Sequence, residues 1–363
     1  MTPDYAPFFA VNISLLRRLS TWGRVDHSNF LRWITEFLRK PECNVAVSSI
    51  LNSDDPKTRR QTYQLLARPE SEQFESLLRR ALTDNDPTIR RWSVTQARLQ
   101  LKGESLRAVV GLAIGDNYSG VRSQAAYIFA ENFLNESKAI MASLVMDSSA
   151  SLRSIGRYYF GKIDRPDYVS YYVDRLQPQN VGECETAIRG LCEVGRSVDI
   201  VHVLPFVHHE NAKVRAAAIY ALARLDGDLF VSEFTDALFG ESPLVSKAAA
   251  LALSKRVSLV DHERLWNAVR DAESPVKKKR LLALLFECSK WDGLYFAIES
   301  LADSELEITA LAQAHIERWM QQFNRSSVQP TARQKDRIFT ALTIQTGNLK
   351  CGAAKSIRFL IGD

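Results

Sequence analysis

No Cys-x-x-Cys pair occurs in this sequence, and its five cysteines, Cys43, Cys184, Cys192, Cys288 and Cys351, are odd in number and scattered. That pattern argues against a disulfide framework and against a zinc module, and it reads as reduced thiols in a cytosolic protein. No apolar run approaches the ~20 residues needed to span a bilayer. The apolar cluster Phe8-Phe9-Ala10-Val11 has no preceding cation and no small-residue cleavage site, so a secretory leader is not expected. A Gly-rich phosphate loop, a nucleophile elbow and a paired-carboxylate pattern are all missing. Charge of one sign is not in great excess: a net +5 spread over 363 residues is a weak argument for nucleic acid. With 46% hydrophobic and 25% charged residues, the chain is not wholly disordered either.

What the sequence has in quantity is repetition. The stretch Asp86-Pro-Thr-Ile-Arg90 reappears as Asp55-Pro-Lys-Thr-Arg59, Gly120-Val-Arg122, Ser151-Leu-Arg153 and Lys213-Val-Arg215. From Arg59 the marked position falls at Arg90, Arg122, Arg153, Cys184, Arg215 and Ser246, in steps of 31, 32, 31, 31, 31 and 31 residues. A period of that length defines an array of one supersecondary unit, which cannot bury its apolar face alone and must stack on its neighbours.

Each unit reads as a helix pair. Outer helices are expected at Phe74–Leu82, Leu106–Ile114, Ala139–Met146, Tyr168–Leu176, Ile200–Val207, Leu229–Phe239, His262–Val269 and Leu294–Leu301. Turns such as Asp84-Asn-Asp86, Asp147-Ser-Ser149 and His209-Glu-Asn211 follow them. Asp55-Pro56, Asp86-Pro87, Ser242-Pro243 and Ser274-Pro275 then open second helices, with a capping side chain followed by proline where its missing N–H costs nothing. Second helices share a template: an aliphatic residue before the marked position, a small one three on and a large apolar one seven on. Ile89, Ser93 and Val121, Ala125, Phe129 are examples, and these offsets share one helical face.

Later units begin at Val276-Lys277, Ile308-Thr309 and, after a loop near Ser326-Ser327, Leu349-Lys350 with an outer helix over Arg333–Leu342. Residues 1–27 fit no repeat. Residues 28–38 are a candidate first helix, 28–325 the repeat array, and 326–363 a loop with an atypical capping pair. About ten pairs are expected.

Arg59, Arg90, Arg122, Arg153 and Arg215 lie in the first turn of a helix, where a cation opposes the dipole at ~0.3–1 kcal/mol. Their recurrence implies a partner, and an internal ladder to turn carbonyls or to Asp55, Asp86, Asp116 or Asp147 is expected.

The pattern Asp-Pro-x-Val-Arg-x-x-Ala-x-x-x-Leu resembles HEAT repeats, in particular the short bacterial type also found in phycobilisome lyases, over about residues 41–360. The resemblance implies an all-α fold, an α-solenoid (a right-handed superhelix) of antiparallel helix pairs. It does not fix function, because the superfamily holds scaffolds, adaptors and a few enzymes. His209-Glu210 and His262-Glu263 are misplaced for the di-iron helices of the HEAT-like hydroxylase of deoxyhypusine. The aromatic and acidic cluster of HEAT-like DNA glycosylases has no counterpart around Trp92. His202, His208 and His209 with Glu210 lack ligand spacing on one element. No catalytic, cofactor-binding or metal residues are therefore expected, and no cofactor.

In such arrays the resemblance implies that second helices line the binding side. There the sequence offers Trp92, Tyr127, Tyr158, Arg189 and Tyr220 as a row of residue types common in interaction hot spots. The expected function is a non-catalytic scaffold or adaptor, expected to be monomeric, for a protein or peptide partner. Alternatives are nucleic-acid binding through Arg60, Arg91 and the run Lys277-Lys278-Lys279-Arg280, and a phycobilin-lyase-like role.

Overall fold

The computed structural model describes residues 44–240, 242–323, 327–350 and 352–362, and among them there are helices and turns but no strand. Residues 1–38, Cys43, Ser326 and Cys351 lie outside the described residues. The chain divides into two compact units between Pro166 and Asp167.

In the first unit, outer helices α1 (Asn44–Leu51), α3 (Phe74–Ala81), α5 (Gly103–Ile114) and α7 (Lys138–Leu144) alternate with inner helices α2 (Pro56–Leu66), α4 (Pro87–Gln100), α6 (Ser119–Asn132) and α8 (Ala150–Ile163). Short turns return each pair on itself. Asp55 accepts hydrogen bonds from the Lys57 and Thr58 amides, and Asp86 from the Thr88 amide, with Pro56 and Pro87 in the first helical turn. The template positions all face inward. Ile89, Val121 and Leu152, then Ser93 and Ala125, then Phe129 and Phe160 are buried, and Phe74, Leu78, Val109 and Val110 from the outer helices complete the core. Each large side chain buried this way contributes about 1.5–3 kcal/mol.

Close backbone approach explains the small residue. A Cβ on Gly156 would lie 2.7 Å from the Val145 nitrogen and 2.8 Å from the Leu144 carbonyl carbon. At the corresponding place in α4, the Ser93 hydroxyl donates to the Leu78 carbonyl at 2.8 Å, so the two helices are stitched together as well as packed.

The second unit continues with outer helices α9 (Tyr168–Val173), α11 (Ile200–Val203), α13 (Val231–Phe239), α15 (His262–Asp271), α17 (Lys290–Glu299) and α19 (Ala332–Ile344). Its inner helices are α10 (Val181–Val194), α12 (Ala212–Asp226), α14 (Pro243–Ser254), α16 (Pro275–Phe286), α18 (Leu306–Gln322) and α20 (Ala353–Ile361). Toward its C-terminal end the core is built on Trp291, Leu294, Ile316, Trp319 and Ile338, and Trp291 and Trp319 meet edge-on at 5.5 Å.

Several expected boundaries move. The outer segment 200–208 is one α turn followed by a 3-10 stretch, Leu204–His208, because Pro205 has no amide to continue the α pattern. Residues 227–230 are likewise 3-10 before α13. Helix α1 was hidden by its brevity and its valines. Ser242 and Ser274 stand at N-caps but make no side-chain capping bond, unlike Asp55 and Asp86. The last inner helix begins only at Ala353, after Gly352 at φ +82°, so Leu349-Lys350 precede it.

Candidate partner-binding site

The structure gives the recurring arginines a common geometry. Each stands four residues after the N-cap of an inner helix and turns back to the edge where the turns lie. Arg90 Nη1 donates to the Asp84 and Asn85 carbonyls of its own turn. Its Nε and Nη2 grip the carboxylate of Asp116, in the next turn, at 2.6 and 2.9 Å. Arg59 does the same with the Ser53 and Asp54 carbonyls and the Asp84 carboxylate, and Arg122 with the Asp116 and Asn117 carbonyls and the Asp147 carboxylate. Arg153 reaches the Asp147 and Ser148 carbonyls, and Arg215 the His209 and Glu210 carbonyls. Hydrogen bonding to the carboxylates raises the Arg59 and Arg90 guanidinium pKa values against their burial. Burial pushes Asp116 upward, but the Arg90 pair and the Tyr118 amide outweigh it and hold the carboxyl below its usual range.

The acids are not all those the sequence suggested. Asp55 and Asp86 are occupied as helix caps, so Arg59 turns to Asp84 instead. Asp84, Asp116, Asp147 and Asp303 each stand two residues before an N-cap and accept that residue's amide, at 2.7–2.9 Å. The cation opposite Asp303 is Lys278, at 2.7 Å. This corrects the register of that unit by one: its N-cap is Ser274, so the marked position is Lys278 and not Lys277.

Where the series lapses, other groups step in. At Cys184 the carbonyl an arginine would have reached, that of Pro178, meets the ring of His209 at 3.2 Å. His209 occupies the aspartate's place in its turn, and its Nδ1 accepts the Asn211 amide, which assigns the Nε2 proton to the Pro178 carbonyl. At Ser246 the hydroxyl donates to the Leu238 carbonyl and accepts from Arg280.

Rings and cations meet along the inner helices of the first unit, in a largely buried pair near the turn edge and a more exposed strip around Tyr127. Tyr63 and Trp92 rings lie 6.0 Å apart. Arg98 sits 5.6 Å over the Tyr127 ring and pairs with Glu131 at 3.2 Å. Tyr127 meets Tyr159 at 6.2 Å, Tyr159 meets Tyr158 at 4.9 Å, and Lys162 lies 4.2 Å over Tyr158. Tyr127 is 40% exposed and Tyr158 60%, which leaves both free for contact. A hydrogen bond to Glu131 raises the Tyr127 phenol, and burial raises that of Tyr159. Trp92 is half-buried and packs on the core cluster of Phe74 and Val94, so it supports the strip more than it projects from it. In the second unit, Arg189 stands on α10 paired with Glu185 at 2.9 Å, and Tyr220 on α12 is exposed.

Sequence reasoning missed Tyr159 and Arg98 as members of the strip, whereas Lys162 and Glu131, nine residues after their marked arginines, are legible as a mixed-charge rim. An eight-residue offset from the marked arginine finds Arg98. The run Lys277–Arg280 is not a free basic patch. Lys277 donates to the Phe239 carbonyl, Lys278 pairs with Asp303, Lys279 with Glu307, and Arg280 donates to Ser246. Burial pushes the Cys184 thiol up to about 11 and the Cys288 thiol up to about 12, so neither is a ready nucleophile. Among the described residues no three His, Cys, Asp or Glu side chains are grouped to hold a metal ion, and no helix is long and apolar enough to cross a membrane.

Residues 45–130 match the family model of HEAT repeats. Among solved structures, one of Kap95p with RanGDP superposes with a TM-score of 0.50 at 13% identity, over 97% of this chain and 59% of that one. A complex of Kap95 with Nup1 gives 0.47 at 13% identity, over 97% and 60%. The chain thus spans about three fifths of the length of these matched chains. No curated protein matches the sequence significantly. Residues 45–130 are thus similar to HEAT repeats, and the chain shares the all-helical α-solenoid class of fold.

Proposed function

We propose that this chain is a non-catalytic scaffold or adaptor that holds a protein partner on its inner-helix face. The supporting observation is the uncovered tyrosine and cation strip of the first unit, Tyr127 and Tyr158 with Arg98 and Lys162. Exposed tyrosines held by neighbouring rings and cations lose little entropy on contact, which suits them to anchor a partner. Arg189 and Tyr220 are residues of the same kind on the inner helices of the second unit. HEAT-type neighbours in complexes with RanGDP and Nup1 are consistent with such a role. The nucleic-acid alternative loses its main basic run to internal pairing and keeps only Arg60 and Arg91.

The test is affinity capture with Tyr127, Tyr158 and Tyr220 replaced together by alanine. Capture should be lost while the melting curve stays where it was. Unchanged capture by this variant rejects the reading.

A further inference from the structure

We propose that the inner-helix face of the first unit receives an acidic peptide segment in extended conformation, with carboxylates three residues apart opposite Arg60 and Arg91. This rests on the interaction-face reading above and names the chemistry of the partner. The argument starts from where the two signs of charge lie. Helices α2, α4, α6 and α8 contain one acid, Glu131. Beyond the arginines committed to the turn edge, they carry Lys57, Arg60, Arg91, Arg98, Arg157 and Lys162. Asp84, Asp116 and Asp147 pair at the turn edge with Arg59, Arg90 and Arg122, and Arg98 pairs with Glu131. Counted from the marked arginine, Arg60 and Arg91 are one on, Tyr127 and Tyr158 five, Arg98 eight and Lys162 nine, and these offsets fall within one face of a helix. Arg60 and Arg91 are exposed and make no ion pair among the described residues.

The rings favour carboxylates over nucleic acid. Binding of single strands stacks bases on free aromatic faces. Here Lys162 already covers a face of Tyr158, and Arg98 a face of Tyr127. Arg98 over its ring is already paired with Glu131, whereas the Lys162 ammonium over Tyr158 keeps N–H groups for a carboxylate. Spacing sets the pattern for Arg60 and Arg91, at matching positions on adjacent helices: packed helices stand ~8–10 Å apart and an extended chain advances ~3.3 Å per residue, so about three residues separate the carboxylates that meet them. The chain's own first 43 residues are a poor occupant, with four acids, Asp4, Asp26, Glu36 and Glu42, against six lysines and arginines.

The experiment uses the full chain and a fluorescein-labelled peptide with glutamate at every third position. Fluorescence anisotropy is read beside a peptide of the same composition with its glutamates clustered, and beside an oligothymidylate. The spaced peptide should bind best and weaken with salt. Arg60→Ala with Arg91→Ala should raise its Kd by about tenfold or more, and each single variant should raise it in part, while Arg107→Ala, the same charge loss as either single variant but on outer helix α5, should leave it unchanged. No saturable binding of the spaced peptide, equal loss with Arg107→Ala, or tighter binding of the oligothymidylate each overturns the inference. Capture through Tyr127 and Tyr158 by a chain that ignores acidic peptides would overturn this inference alone and leave the scaffold reading standing.

Discussion

Arg90 and Asp116 are twenty-six residues apart in sequence, yet the arginine Nε lies 2.6 Å from the aspartate carboxylate, with the two side chains 9% and 7% exposed. The contact crosses from one helix pair to the next. Arg90→Ala leaves a buried carboxylate and two turn carbonyls without their donor, and such losses cost about 3–5 kcal/mol. Arg90→Lys should recover only part of this, since a point charge cannot reproduce the planar fork. Arg122→Ala should cost less, because that pair is 15% exposed on both sides. Thermal unfolding of the three variants checks the order. An Arg122→Ala chain of unchanged stability that no longer bound a partner would make these arginines ligand contacts instead.

Gly156→Ala sets two effects against each other. Alanine gains up to about 1 kcal/mol in a helix interior, but its Cβ would meet the backbone of Leu144 and Val145, which cannot rotate away. Overpacking of this kind costs about 1–3 kcal/mol, so a net loss is expected. Gly111→Ala, whose Cβ has only an ordinary 3.9 Å contact with Phe129, should be neutral or stabilising. Urea midpoints of the two variants separate the terms.

The lapse at Cys184 can be closed. Cys184→Arg alone brings a buried guanidinium against the His209 ring and should destabilise. Adding His209→Asp supplies the missing carboxylate two residues before the Asn211 cap. The double variant should be more stable than the sum of its singles by about 0.5–3 kcal/mol in a double-mutant cycle. Simple additivity would mean that Arg–Asp pairing is not what joins these turns.

His315 predicts a pH dependence. Burial first, and the charge of Arg318 second, lower its pKa from 6.5 to about 4, and its ring stacks on Phe286 at 4.4 Å. The unfolded chain therefore binds more protons between those values. The stability contributed by the neutral ring is full above pH 6.5 and is lost as pH falls toward about 4, at up to ~1.4 kcal/mol per pH unit. His315→Phe keeps the stack and should flatten the slope in that window. Asp116, also depressed, adds a loss at still lower pH in both proteins. An unchanged slope in His315→Phe would assign the acid sensitivity elsewhere.

Much of the architecture was legible because it is periodic. The small residue at Ala125 or Gly156 and the aliphatic at Ile89 recur at fixed offsets, and periodicity reports which side chains face the core. The outer helices were harder to bound, since Pro205 and the 3-10 stretch at 227–230 alter local geometry without altering the apolar count. Partner choice along the arginine series was only half visible. In Asp84-Asn-Asp86 two carboxylates compete, and which one caps the helix and which one faces the preceding arginine depends on three-dimensional approach. The strip around Tyr127 was legible only in part, because contacts such as Arg98 over Tyr127 join residues twenty-nine apart on different helices.

The forward reach of Arg59, Arg90 and Arg122 bears on how such a chain can grow. A segment of one period, copied in frame, carries an arginine for the segment after it and an aspartate for the segment before it. Insertion or deletion of whole periods therefore leaves no stranded charge at the new junction, whereas a copy cut to any other length does. Length in this protein is a quantity that heredity can change in whole steps, with each junction already chemically complete.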